Sequence, residues 1–292
     1  MKRNTLRSPR FWIPNNLSAT LVTILLWSQA SFATVLVVLV SGNAIVFGAD
    51  SENIVTEIHE SHYSPIGTGT VEKIAIIQNR LLVSTNGIGS ISGIYDFNTW
   101  IKSLPIANNT SVENAATIIK KKAGPLFKKE WDWQVSHGRT PFTNLSGEKS
   151  LPWVSYYVGG NEFAGPVVYL VELYVDWTKN RLKAPIITLI YPPPKGVTQY
   201  KNILARHNGV KGGGIDQLNT DGSNIQRKYL KLYNREVGAA IYDEPLDVGG
   251  LAKLARILLT VEIEVSPKRF SFPIKICSAI PGQGPSCNTY EK

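Results

Sequence analysis

The chain has 292 residues, 43% apolar and 18% charged, a composition that excludes an intrinsically disordered protein. Its length suits one large domain or two small ones. The formal charge is +9, but Lys2, Arg3, Arg7 and Arg10 stand in residues 1–33 with no acidic residue, and without them 27 basic side chains face 22 acidic ones. A solvated basic face explains so mild an excess better than nucleic-acid binding does.

Residues 1–33 have the three parts of a secretory signal. Lys2 to Arg10 make a basic start, Leu17 to Trp27 an apolar middle, and Ser31-Phe32-Ala33 puts small residues at the two positions a signal peptidase reads. The middle is shorter than the roughly 20 residues that span a bilayer. We therefore expect a cleavable signal over 1–33, an exported protein and a single domain over 34–292. The alternative is a membrane anchor, since Val35–Val40 prolongs the hydrophobicity into an uncleaved helix over Leu17–Val40.

From Ala33 to Ser51, two β-rich apolar runs flank Gly42-Asn43, a pair suited to a tight hairpin turn. Glu52 to Thr70 reads as a polar loop. Its His59 and His62 are three apart, not the four apart on a helix that a zinc protease needs, so no metal site is assigned. Strands over Lys73–Ile77 and Leu81–Thr85, joined by Gln78-Asn79-Arg80, lead into Asn86-Gly87. Ile94, Phe97, Trp100, Ile101 and Leu104 recur at helical spacing, and Pro105 ends that helix. Thr110-Ser111-Val112-Glu113 is a capping box that opens a second helix, which should stop near Gly124-Pro125. An irregular aromatic stretch follows, from Trp131-Asp132-Trp133 to about Pro152.

A strand over Val167–Trp177 turns at Lys179-Asn180 towards Ala184–Tyr191, and Pro192-Pro193-Pro194 halts the pair. Gly212-Gly213-Gly214 reads as a flexible connection, lacking the preceding strand and the Gly-Lys-Ser/Thr of a phosphate loop. Leu251, Leu254, Leu258, Val261 and Val265 mark a helix face. Phe270–Ile276 alternates as a strand, which Pro273 should put at an edge or against an unpaired position. Cys277 and Cys287 form a disulfide if the protein is exported. Strands in blocks, then helices in blocks, predict an α+β fold and not βαβ winding.

The stretch TVLVVLVSGNAIVFGADS, beginning at Thr34, resembles the start of a proteasome β-type subunit, a threonine-nucleophile member of the N-terminal-nucleophile (Ntn) hydrolases. Further on, VEKIAIIQNRLLVSTNGIGS is similar to that family's lysine-bearing strand, its partner and the glycine turn. The resemblance is strongest over Thr34–Gly93. It implies a four-layer αββα sandwich, Thr34 as nucleophile, Lys73 as catalytic lysine, Asp50 as its holder and Gly87 as the glycine whose N–H faces the oxyanion. No cofactor is implied. The implied partners are a peptide or other amide substrate and a signal peptidase, not nucleic acid; a homo-oligomer is neither required nor excluded.

Two departures from the family are visible. Glu52 stands where an arginine usually follows Asp-Ser, and Ser266–Pro273 has no acidic residue where the family carries one. These leave open a catalytically inactive Ntn-fold protein used for binding or assembly. Cleavage after Ala33 is the first testable expectation: Ala33→Arg should block it and leave the precursor in the membrane fraction. N-terminal sequencing that finds the mutant exported and starting at Thr34 would remove the signal-peptide reading.

Overall fold

The computed structural model describes residues 35–59, 62–87, 90–91, 95–136, 152–176, 178–192, 204–208, 213–218, 220, 222–236, 246–267 and 270–292. Residues 1–34, and with them the expected signal and Thr34, lie outside this set. The fold is α+β with antiparallel sheets. Strands β1 (Leu36–Ser41) and β2 (Ala44–Asp50) form the expected hairpin, with Ser41 opposite Ala44 and Gly42-Asn43 as its turn. Because Leu36–Ser41 is a buried strand, the alternative of one anchor helix over Leu17–Val40 does not hold. No helix among the described residues is long and apolar enough to cross a membrane.

Glu52–His59 (β3) and His62–Thr70 (β4) pair with each other, which corrects the loop expected over Glu52–Thr70. His59 and His62 are register partners there, while Glu60 and Ser61 lie outside the described residues. Strands β5 (Ile74–Ile77) and β6 (Leu81–Gly87) turn through Gln78-Asn79-Arg80. The short pair β7 (Ser90–Ile91) and β8 (Tyr95–Asp96) leads into helix α1 (Phe97–Ser103), which Asp96 caps by accepting from the Thr99 amide at 2.9 Å.

Helix α2 (Val112–Ser136) is capped by Ser111, whose Oγ accepts from the Asn114 amide at 3.2 Å. It does not stop at Gly124-Pro125 as expected but runs through them. An interior proline costs a helix about 3 kcal/mol. Full burial of Phe127 and Trp131 one and two turns on offsets that at about 1.5–3 kcal/mol each. Trp131 is therefore a core residue of a helix, not the start of an irregular stretch; its Nε1–H donates to the Asn180 carbonyl at 3.0 Å.

Strands β9 (Pro152–Glu162) and β10 (Gly165–Asp176) pair along their length, followed by β11 (Arg181–Leu182) and β12 (Ile186–Tyr191). They complete a sheet in the order β11-β10-β9-β6-β5, with β12 beside β10. The other large sheet runs β13-β1-β2-β14-β15, where β13 is Leu204–Asn208, β14 Ile274–Ala279 and β15 Ser286–Tyr290. Strand β14 is paired on both sides and is not an edge strand, but Pro273 stands just before its first paired residue, the unpaired position that was the other expectation. Cys277 and Cys287 face each other across β14 and β15 with their sulfurs 2.01 Å apart in a disulfide.

Alternation along β1 and β2 explains their continuous apolar sequence, since side chains of successive residues point to opposite faces. Leu36, Val38, Val40, Ile45 and Phe47 join a cluster with Leu82, Tyr157 and Leu170 of the other sheet. Val37, Leu39, Ala44 and Val46 instead pack with helix α5 (Val248–Val265). On the far face of the second sheet, Val83, Val158 and Val171 pack with Ile119 and Phe127 of α2.

Two short elements flank α5: α3 (Gly214–Leu218) and α4 (Asn224–Glu236). Gly214 is not the hinge of a flexible loop. A Cβ there would lie 2.1 Å from the Val261 carbonyl oxygen, so glycine lets α3 sit against α5. The buried Glu262 carboxylate then accepts from the Ile215 amide at 2.9 Å. Gly214→Ala should cost about 1–3 kcal/mol by overpacking; a urea midpoint unchanged from the parent protein would contradict this contact.

Candidate active site

Asp50 ends β2 next to Ala49 of the cluster between the sheets, and its side chain is a buried carboxylate, 2% exposed as a residue. Its Oδ1 accepts from the Val35 amide at 3.0 Å and from Lys73 Nζ at 2.8 Å. The return bond, from the Asp50 amide to the Val35 carbonyl at 3.3 Å, fixes the start of β1 against the end of β2. Val35 is the residue joined by its peptide nitrogen to Thr34. Thr34 itself lies outside the described residues, so its expected contact with Lys73 lies outside them as well.

Lys73 immediately precedes β5, and its side chain is 2% exposed. Its carbonyl accepts from the Thr85 amide at 3.0 Å, and the Val71 amide donates to the Ser51 carbonyl at 2.9 Å. The segment entering β5 is thereby tied to both sheets, and the ammonium crosses from one to the other. Removing two charges from water costs several kcal/mol per ion, which close contact and further hydrogen bonds must offset. The Val35 amide supplies one such bond. Replacing such a pair by apolar residues of similar volume is often neutral or stabilising, so the pair is weak evidence for stability.

Gly87 ends β6 with φ of +98°, in the region that favours glycine. It stands opposite Val154, and a Cβ on it would approach the Trp153 carbonyl oxygen to 2.5 Å. Lys73 is level with Thr85, two residues before Gly87, or about 7 Å along the strand. The structure thus brings Asp50 and Lys73 into contact and sets Gly87 further along the strand beside them.

Sequence reading missed a row of polar residues on the same sheet. Asn86, Ser155 and Glu172 are register partners on β6, β9 and β10. By alternation they share the face of Leu82, Tyr157 and Leu170, which belong to the cluster between the sheets. Ser155 is buried, and Glu172 accepts from the Tyr174 hydroxyl at 3.0 Å. Ser51 and Ser84 also bury hydroxyl oxygens without a hydrogen-bond partner among the described residues. The interior between the sheets therefore changes from apolar to polar at the level of the ion pair. No signal marked the row beforehand, because β9 itself was not expected.

The Tyr95 and Tyr156 hydroxyls, 3.0 Å apart, lie on the opposite, helix-covered face. Burial pushes both phenols well above the ordinary tyrosine range, so they stay neutral and serve the core. Among the described residues no group of three or more His, Cys, Asp or Glu is placed to hold a metal ion.

The chain matches no family model and no curated protein sequence. What the site can do must come from its own geometry: a buried ammonium and carboxylate, held at the start of the strand that Thr34 precedes. Lys73→Met should cost about 3–5 kcal/mol by removing the ammonium from the buried Asp50 carboxylate. Adding Asp50→Asn should recover part of that loss. Strict additivity of the two changes in urea denaturation would show that the pair is not coupled.

Proposed function

We propose that this chain is an exported, proteasome-subunit-like Ntn hydrolase that cleaves amide bonds with Thr34 as its N-terminal nucleophile. The observation that carries this reading is the Asp50 carboxylate, which holds both the Lys73 ammonium and the amide joined to Thr34. The alternation of helices, two facing sheets and helices across three apolar clusters supports the four-layer αββα sandwich this reading entails. The disulfide supports an oxidising, exported setting.

After cleavage at Ala33, the Thr34 α-amine, whose ordinary pKa is about 7.7–8.0, is partly neutral at physiological pH. It takes the hydroxyl proton as Thr34 Oγ attacks the substrate carbonyl. The Lys73 ammonium favours the neutral amine and stabilises the developing alkoxide, while Asp50 orients it. The Gly87 N–H donates to the tetrahedral oxyanion, a role worth roughly 3–4 kcal/mol for one donor. The amine then returns the proton to the leaving nitrogen, and water hydrolyses the acyl ester on Thr34. The polar row Asn86–Ser155–Glu172 supplies hydrogen-bonding groups for a bound amide chain.

A second reading, a non-catalytic protein of the same fold, is favoured by one observation. The acidic residues at the end of α5 are engaged elsewhere: Glu262 holds the Ile215 amide, and Glu264 pairs with Lys228 at 2.7 Å. A peptide electrophile that captures both the amine and the hydroxyl of an N-terminal threonine separates the two readings. Mature protein starting at Thr34 should be labelled once per chain, and Thr34→Ala should abolish labelling. Mature protein that begins at Thr34 yet stays unlabelled would leave the non-catalytic reading.

A further inference from the structure

The basic excess of the chain is concentrated on one surface. Residues 120–132 of α2 and 176–183 beside it hold eight basic and three acidic side chains, an excess of five. Residues 34–292 as a whole have the same excess, so the rest of that span is balanced. The two segments adjoin in space. The Trp131 indole bonds to the Asn180 carbonyl, and a Cβ on Gly124 would lie 3.2 Å from the Pro185 ring. Residues 180–185 therefore run alongside the second half of α2.

On α2 the exposed lysines are Lys121, Lys122, Lys128 and Lys129, seven residues apart in pairs and so on one outward face of the helix. Lys179, Arg181 and Lys183 are exposed on the adjoining segment. Of the acidic residues there, Asp132 is paired with Lys128, Asp176 lies 3.7 Å from Arg181, and Glu130 is buried. Lys121, Lys122, Lys129, Lys179 and Lys183 have no ion-pair partner among the described residues.

Strand β12 begins directly after Pro185 and has exposed aliphatic side chains, Ile186 at 48% and Leu189 at 36%. With Phe163 in the β9–β10 turn, these are the exposed large hydrophobic side chains among the described residues. Of these, Leu189 stands level with Tyr169 on the α2-covered face, whereas Ile186 stands level with Glu172 on the opposite face of the sheet and Phe163 lies in the turn.

We infer that α2 and the edge beside it form a docking surface for an anionic lipid bilayer. Lysines without an ion-pair partner among the described residues attract anionic headgroups, and the neighbouring Leu189 side chain reaches the boundary between headgroups and acyl chains. Lysine predominates over arginine, seven to one, and no exposed aromatic side chain lies among the described residues of the two basic segments. Lysine ammoniums are point charges without the guanidinium fork used in nucleic-acid recognition, and the described residues of the two segments offer no exposed stacking platform.

The test is flotation of the purified protein with vesicles of phosphatidylglycerol in phosphatidylcholine, and with phosphatidylcholine alone. Binding should occur only to the anionic vesicles and be lost when salt rises from about 0.1 M to about 0.5 M. The Lys121→Glu, Lys122→Glu, Lys129→Glu variant should bind roughly tenfold more weakly or worse. Leu189→Ser should weaken binding while keeping its salt dependence, and Ile186→Ser, on the opposite face, should leave binding unchanged. If charge reversal disturbs folding by circular dichroism, the corresponding triple Gln variant serves in its place. Absent binding, equal binding to both vesicles, an unaffected lysine variant, or tighter binding to duplex DNA than to vesicles would each overturn the inference.

Discussion

The carboxylate of Asp50 is the constraint on which one end of the structure depends. Apolar strands can be buried on both faces only while their side chains stay apolar, and β2 reaches that limit at its last residue. A carboxylate placed there must be compensated, and an amide from the neighbouring strand and an ammonium from the facing sheet both do so. These two bonds tie three chain segments that are far apart in sequence: the start of β1, the end of β2 and the entry to β5. None is free to shift without exposing or orphaning a charge. That rigidity suits the nucleophile proposed next to Val35, because catalysis depends on groups held in place before the substrate arrives.

Close backbone approach governs the rest of the core. Gly159 and Gly160 sit in the middle of β9, where an added Cβ would meet Phe47 at 3.0 Å and Leu81 at 2.7 Å. The first contact comes from the facing sheet and the second from the neighbouring strand, so the glycines let large side chains fill the space over β9. Gly214 plays the corresponding part between α3 and α5. In both places, residues usually associated with turns are the means by which regular elements pack.

That substitution of roles explains what was and was not legible in the sequence. The first hairpin was legible because its apolar runs and its two-residue turn agree with each other at short range. Lys73 and Asp50 were legible as a pair through resemblance alone, since 23 residues separate them and no local pattern joins them. Strand β9 was invisible because Gly159-Gly160 reads locally as a break, while the contacts that demand glycine come from Phe47 and Leu81. Helix α2 was cut short at Pro125 for the same reason: the burial of Phe127 and Trp131 is a tertiary effect that local propensity cannot register. Strand β13, which closes the sheet beside β1, depends likewise on a partner far away in sequence.

The two faces of the second sheet divide the chemistry of the molecule. Its inner face has the polar row beside the ion pair, and its outer face is covered by α2 with the basic residues turned to solvent. The strand pleat makes this division automatic, since alternate residues of β6, β9 and β10 belong to opposite sides. The buried helix face and the aromatic layer around Tyr95, Phe127 and Trp153 fill the space between lysines and sheet. A bilayer held against α2 would therefore meet the protein on the far side of a packed layer from Asp50 and Lys73. The lipid contact and the amide cleavage proposed above therefore fall on opposite faces of one sheet.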